Sequence, residues 1–202
     1  MGTCTVVVTG ASGSAYGLRL IEQLVLAGHG VTVCFTEAGR EVTAFELGFE
    51  LPTDDAGIAA VALATYLELP SAERLRVTYP DDLFDPIASG SHQTDAMVVA
   101  PCTVGFVASV ANGLASDLPE RAADVMLKER RPLVLVPRET PLSLIHLRNL
   151  TAAAEAGAII VPAMPAFYTK PETVDDLVDF VVGKVLDVLE VQHDLLKRWG
   201  SA

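Results

Sequence analysis

The turn Thr9-Gly10-Ala11-Ser12-Gly13-Ser14-Ala15-Tyr16-Gly17 brings glycines, small residues and hydroxyls together directly after a strand-like run, Cys4-Thr5-Val6-Val7-Val8. Small side chains let backbone approach a ligand closely, and the free N–H groups of a following helix start favour a phosphate. The spacing is not that of a dinucleotide site, because Ser12 stands where GxGxxG needs its second glycine. Ser14 interrupts GxxxGxG in the same way, and no Tyr-x-x-x-Lys pair follows to serve hydride transfer. Nucleotide or phosphate binding without NAD is therefore expected, against the bland alternative of a tight turn with no ligand. Glu37 fits either a ribose 2′-hydroxyl or an acid in the first turn of a helix.

Cations are the second signal. The chain has 202 residues with 14 Lys+Arg against 26 Asp+Glu, a net charge of −12. Against that background, positive charges near strand ends stand out. Arg121 and Lys128 lie on one face of an expected helix, Arg138 follows an expected strand, and Lys184 lies on the last helix. Surface ion pairs with Glu120, Asp124 and Glu129 are the alternative for Arg121 and Lys128. Several cations converging on one pocket would hold a phosphate monoester through charge-assisted hydrogen bonds.

The elements that must position these groups follow from periodicity. Strand-like runs at 5–9, 31–36, 75–79, 96–100, 133–137 and 158–162 alternate with helical patterns near 15–27, 37–47, 57–67, 104–112, 119–129, 142–156 and 174–189. Runs apolar on successive residues are those of strands buried on both faces. Leu18, Ile21, Leu24 and Val25 recur at helical spacing, with Gly28 as the expected stop. The alternation predicts one domain over 1–202, of the α/β class, with a parallel sheet of about six strands between helical layers. Residues 81–94, rich in Asp, Ser, Gly and Pro, form a long and therefore candidate functional loop. In such a sheet ligands sit beyond the carboxyl ends of the strands, near the switch point. That rule selects the glycine turn, Thr36-Glu37, Pro101-Cys102-Thr103, Pro137-Arg138-Glu139 and Pro162-Ala163-Met164-Pro165.

Composition excludes other classes. A chain with 50% hydrophobic residues is not intrinsically disordered. Its negative charge argues against general nucleic-acid or anionic-membrane binding. No apolar run approaches the roughly 18 residues of a membrane span, no secretory leader is visible, and Val6 stands where myristoylation needs Ser or Thr. Cys4, Cys34 and Cys102 form no CxxC pair, so a reduced, cytoplasmic setting with no cysteine metal site is expected.

The chain resembles the UbiX-type flavin prenyltransferases over nearly its whole length. The resemblance rests on Thr9-Gly10-Ala11-Ser12-Gly13 with Tyr16-Gly17-Leu18-Arg19-Leu20, on Ala88-Ser89-Gly90-Ser91, and on Glu120-Arg121-Ala122-Ala123-Asp124-Val125. It continues through Leu127-Lys128-Glu129-Arg130-Arg131-Pro132-Leu133-Val134-Leu135-Val136-Pro137-Arg138-Glu139, then Phe167-Tyr168 and Val178-Asp179-Phe180-Val181-Val182. The resemblance implies a Rossmann-like three-layer α/β/α fold. It also implies reduced FMN and dimethylallyl monophosphate as substrates, joined at flavin N5 and C6 without a metal. The product, prenylated FMN, would go to a UbiD-type decarboxylase. By the same resemblance, Gly10, Ala11, Ser12, Thr36, Thr103, Val104, Gly105, Phe106 and Arg138 would contact FMN. Glu46, Arg121, Lys128, Glu139, Tyr168 and Lys184 would surround the prenyl phosphate, in a dodecamer with sites at subunit interfaces. Ser12, Glu46, Glu139 and Lys128 would be the catalytic residues: Ser12 relays the N5 proton, Glu46 assists at C6, and Glu139 exchanges a proton with the phosphate.

Three departures from the family pattern stand out. Cys-Ser-Thr-Gly-Thr reads Cys102-Thr103-Val104-Gly105-Phe106, which removes hydroxyls; Thr36 replaces the common Ser; Lys184 replaces a frequent Arg and loses the bidentate fork. Two rival readings remain at this level. A flavin-dependent cysteine decarboxylase suits Ala100-Pro101-Cys102-Thr103, Ala111-Asn112-Gly113, Asp117-Leu118 and His92, but Gly105 replaces its Asn and Pro137-Arg138-Glu139 replaces its Pro-x-Met-Asn clamp. A flavin-binding accessory subunit without turnover is the other.

Overall fold

The computed structural model describes residues 2–196. Six strands, β1 (Thr3–Val8), β2 (Gly30–Phe35), β3 (Leu75–Thr78), β4 (Ala96–Cys102), β5 (Leu133–Pro137) and β6 (Ile159–Ile160), form one parallel sheet in the order β3-β2-β1-β4-β5-β6. The order reverses between β1 and β4, so the crevice of this Rossmann-like fold opens where their carboxyl ends diverge. The helices are α1 (Ser14–Leu26), α2 (Glu37–Leu47), α3 (Ala56–Tyr66), α4 (Val104–Ala111), α5 (Leu118–Lys128), α6 (Leu144–Glu155) and α7 (Val174–Val188).

Side chains alternate across the pleat, and the core divides accordingly. Val6, Val8, Val33 and Phe35 pack with α1, α3 and α7, while Val7, Cys34, Met97 and Val99 pack with α4, α5 and α6 on the other face. Both faces are dry, which is why the strands read as continuous apolar runs. The helix α1 stops as expected: Ala27 caps it and Gly28 takes a φ of 88°. Two blocks far apart in the sequence meet here, because Arg19 on α1 grips Asp179 on α7 through Nε at 2.7 Å and Nη2 at 3.1 Å.

Two strands are shorter than the sequence suggests. The third ends at Thr78, and the sixth covers only Ile159–Ile160 rather than 158–162. Val161 and Ala163 still donate to β5, at Leu135 and Pro137, and the intervening Pro162, on the side facing away from β5 at the sheet's edge, costs no ladder bond. The loop 81–94 contains a single 3₁₀ turn, Pro86–Ala88. Among the described residues no helix is long and apolar enough to cross a membrane.

Candidate active site

The glycine turn leaves β1 at the switch point and enters α1 through Gly13, whose φ of 107° suits a residue without Cβ. Gly17 lies flush against the Ala100 carbonyl, so α1 sits close on β4. Gly10 is required by packing: a Cβ there would lie 2.5 Å from that of Ala38 on α2. That helix buries only Gly39 and Thr43 and rests on the end of β1, where Thr36 N–H donates to the Val8 carbonyl at 3.0 Å. Its far end therefore overhangs the start of α1.

Glu46 uses this overhang. Its carboxylate accepts the N–H of Gly13 at 3.0 Å and of Ser14 at 3.0 Å, and the Ser12 hydroxyl lies near enough to favour its charged form. Desolvation is the largest single influence on Glu46 and pushes its pKa up, but the hydrogen bonds from Ser12, Gly13 and Ser14 together outweigh it and hold the carboxyl below its ordinary value. The structure thus brings Ser12 and Glu46 together. It also corrects one expectation: the free N–H groups at the start of α1 are met by the chain's own carboxylate, not left for a phosphate.

Two other helix starts share this edge. Thr36 caps α2 by accepting Gly39 N–H at 3.0 Å, and Thr103 caps α4 by accepting Phe106 N–H at 3.2 Å. Glu37 lies in the first turn of α2, where an acid favours the helix dipole. The N–H groups of Val104 and Gly105 have no hydrogen-bond partner among the described residues. The Phe106 ring is buried in the core beneath α4, so at this position it is the backbone that borders the crevice. Arg138 is exposed, and its guanidinium makes no ion pair or hydrogen bond among the described residues. Its charge reaches Tyr16, whose ring lies against Gly13, although burial dominates there and raises the phenol's pKa. Glu139 accepts the Thr140 N–H at 2.9 Å.

The remaining predicted residues fall into two further groups. On α5, Arg121 donates from Nε to the Ala88 carbonyl at 3.1 Å and pairs with Asp124 at 2.5 Å. Lys128 pairs with Glu129 at 2.5 Å, close against Gly90. On the opposite face of the sheet, Tyr168 stacks edge-on to Phe180 of α7 with centroids 6.0 Å apart, and Lys184 pairs with Asp187 at 3.3 Å. The expected convergence of Arg121, Lys128, Tyr168 and Lys184 is therefore not made within one chain. The sheet separates the pairs, because α5 covers one face and α7 the other.

The Flavoprotein family profile matches residues 2–186. A flavin prenyltransferase UbiX of Halalkalibacterium halodurans is 47% identical over 99% of this chain and 94% of its own. The chain belongs to the UbiX-type flavin prenyltransferase family. A UbiX structure, AnUbiX (PadA1) in complex with FMN and dimethylallyl pyrophosphate, superposes with a TM-score of 0.87 at 33% identity, covering 100% of this chain and 98% of that one. A dodecameric FMN-dependent UbiX-like decarboxylase from Escherichia coli O157:H7 gives a TM-score of 0.85 at 36% identity, covering 98% of this chain and 100% of that one.

The crevice suits the flavin nucleotide of this UbiX-type family. Val104 and Gly105 offer unpaired N–H groups, and Arg138 offers an unpaired cation, at adjoining strand ends. Among the described residues no cluster of three or more His, Cys, Asp or Glu could hold a metal ion. Sequence reasoning missed the residues that hold the loop at 88–92. Asp85 anchors its near end on Arg76 and Thr78, and Arg131 donates to the carbonyls of His92 at 2.6 Å and Gly90 at 2.9 Å. Arg131 had a signal, since it belongs to the block from Leu127 to Glu139; Asp85 had none.

Proposed function

We propose that this chain is a flavin prenyltransferase that transfers the dimethylallyl group of dimethylallyl monophosphate to N5 and C6 of reduced FMN, giving prenylated FMN. The observation that carries the reading is the crevice between β1 and β4, where Arg138 and the N–H groups of Val104 and Gly105, all without partners among the described residues, stand beside Ser12 and the Glu46 carboxylate seated on the glycine turn. When bound, the reduced flavin supplies the nucleophile. Gly10, Ala11, Ser12 and Thr36, with the backbone of residues 103–106, hold it, and Arg138 neutralises its phosphate. Ser12 takes up the proton released at N5, and the ionised Glu46 on its hydroxyl is the acceptor that makes this favourable. Glu139 exchanges a proton with the departing phosphate. Exclusion of water and positioning of the allylic carbon supply much of the acceleration.

Arg121, Lys128, Tyr168 and Lys184 hold the prenyl phosphate, with the two pairs contributed by different copies of the chain. A homo-oligomer, expected as a dodecamer, fits the exposure of Phe84, Phe45 and Phe167, at 100%, 92% and 74%. The chain acts as one flavin-binding domain in the cytoplasm, where its three free, buried cysteines stay reduced, and its product serves a UbiD-type decarboxylase. Anaerobic incubation with reduced FMN and dimethylallyl monophosphate should yield a flavin heavier by one five-carbon unit in mass spectrometry, and the diphosphate in parallel measures donor preference. FMN binding without that product would make the chain an accessory subunit and end this reading.

A further inference from the structure

The parallel ladder between β1 and β4 pairs Cys4 with Ala96 through Val7 with Val99 and then stops. Two residues later the chain reaches Pro101, which has no N–H to offer. Beyond that point a side chain takes over. The Thr9 hydroxyl donates to the Pro101 carbonyl at 2.8 Å and accepts the Thr103 N–H at 2.9 Å. Thr9 N–H leans on the same carbonyl at 3.3 Å. The residue is 2% exposed, so water cannot replace either bond. Next in line, Arg138 N–H donates to the Cys102 carbonyl at 3.2 Å. The exits of β1, β4 and β5 are thus tied edge to edge, and the Thr9 hydroxyl makes two of the three hydrogen bonds of the first tie.

We infer that Thr9 is a positioning residue for the flavin: its hydroxyl fixes the spacing between the glycine turn and the start of α4, the two walls of the crevice. The inference rests on the reading of that crevice as the FMN site. Sheets of this topology separate at the switch point because successive loops leave on opposite faces. Something must set how far they part. Here the hydroxyl does so, using both its donor and an acceptor lone pair, where Pro101 has interrupted the backbone ladder. Gly10, Ala11 and Ser12 follow Thr9 directly, and Val104 and Gly105 follow Thr103, so an error in this spacing passes straight to the groups that meet the ligand.

The shape-conserving Thr9→Val removes both bonds, whereas Thr9→Ser keeps them. FMN affinity is measured by flavin fluorescence on folded oligomer, with the thermal midpoint recorded separately. Thr9→Val should raise the Kd for FMN by about tenfold or more, and Thr9→Ser should return it to within about threefold of the wild type. A role confined to stability would lower the midpoint and leave the Kd of the folded protein unchanged. Wild-type affinity in Thr9→Val, or no rescue in Thr9→Ser, would overturn the inference while leaving the flavin site intact. A wild-type protein that binds no FMN would overturn the underlying reading with it. If Thr9→Val does not fold, Thr9→Ala takes its place with the same expected Kd, and a tenfold loss in Thr9→Ser alone counts against the hydroxyl.

Discussion

Glu46 accepts the Ser14 backbone N–H at 3.0 Å, so the last turn of α2 closes the start of α1 and turns a phosphate-type cradle into the seat of a carboxylate. Held below its ordinary pKa by Ser12, Gly13 and Ser14 against desolvation, Glu46 is ionised through the whole neutral range. As the proton acceptor behind Ser12 it must be ionised to act, so activity is present above its depressed pKa and lost as pH falls through it. The acid limb of kcat/KM should therefore lie below the range of an ordinary glutamate. Glu46→Gln should lower kcat by about 100-fold and abolish that limb, with a smaller change in FMN binding. An acid limb unchanged in the variant would remove Glu46 from the proton path.

Asp85 makes a comparable prediction for stability. It is 6% exposed and accepts Arg76 Nη1 at 2.5 Å, Arg76 Nη2 at 3.0 Å, the Thr78 hydroxyl at 2.6 Å and Ile87 N–H at 3.0 Å. Desolvation, the largest single influence, pushes its pKa up; the Arg76, Thr78 and Ile87 bonds prevail and lower it. A carboxyl depressed in the folded state stabilises above its unfolded pKa, and that contribution fades as pH drops through the folded value. Asp85→Asn should cost about 2 kcal/mol at neutral pH, toward the middle of the range for charged hydrogen bonds, because Arg76 retains access to water. Urea denaturation at fixed protomer concentration should show the gap to wild type closing in acid; a gap independent of pH would mean that charge is not involved.

Arg138 is tested through the cofactor. Arg138→Ala should weaken FMN binding by roughly tenfold to a hundredfold, the equivalent of a charge-assisted hydrogen bond. Arg138→Lys should recover part of that loss, since it keeps the charge but not the planar fork. Titration of reduced FMN at two salt concentrations should show the loss shrinking as salt rises. An affinity indifferent to both variants would place the flavin phosphate elsewhere.

Much of this architecture was legible because local and global signals agreed. The strand β5 and helix α2 fall where their apolar runs and caps place them, and the carboxyl-edge rule pointed to the loops that carry Ser12, Thr103 and Arg138. What the sequence could not show depends on tertiary placement. The family resemblance singles out Glu46, but the N–H groups its carboxylate meets are not legible until α2 is known to rest on β1 through Gly39 and overhang α1. Thr9 reads as the last residue of a strand until Pro101 lies beside it. Phe106 lies in a motif position, but with Val107 and Val110 it forms the buried stripe of α4, and packing decided its direction. The separation of Arg121 from Lys184 follows from crossover geometry: α4 and α5, between β4 and β5, cover one face, and α7 returns to the other.

That separation yields the sharpest test of a shared site. Arg121→Ala and Lys184→Ala should each lose most activity with dimethylallyl monophosphate, mainly through a higher KM. If a site draws Arg121 from one copy and Lys184 from another, some sites in a mixed oligomer contain neither substitution. Co-expression of the two variants, with differently tagged chains purified through both tags, should then restore about a quarter of the wild-type rate under random mixing, because each intact side chain is supplied half the time. A site built from a single chain predicts no recovery, since every copy carries one lesion. Activity no higher than the sum of the two variants, in oligomers shown to contain both tags, would therefore return the phosphate site to one chain and require α5 and α7 to meet around the edge of the sheet.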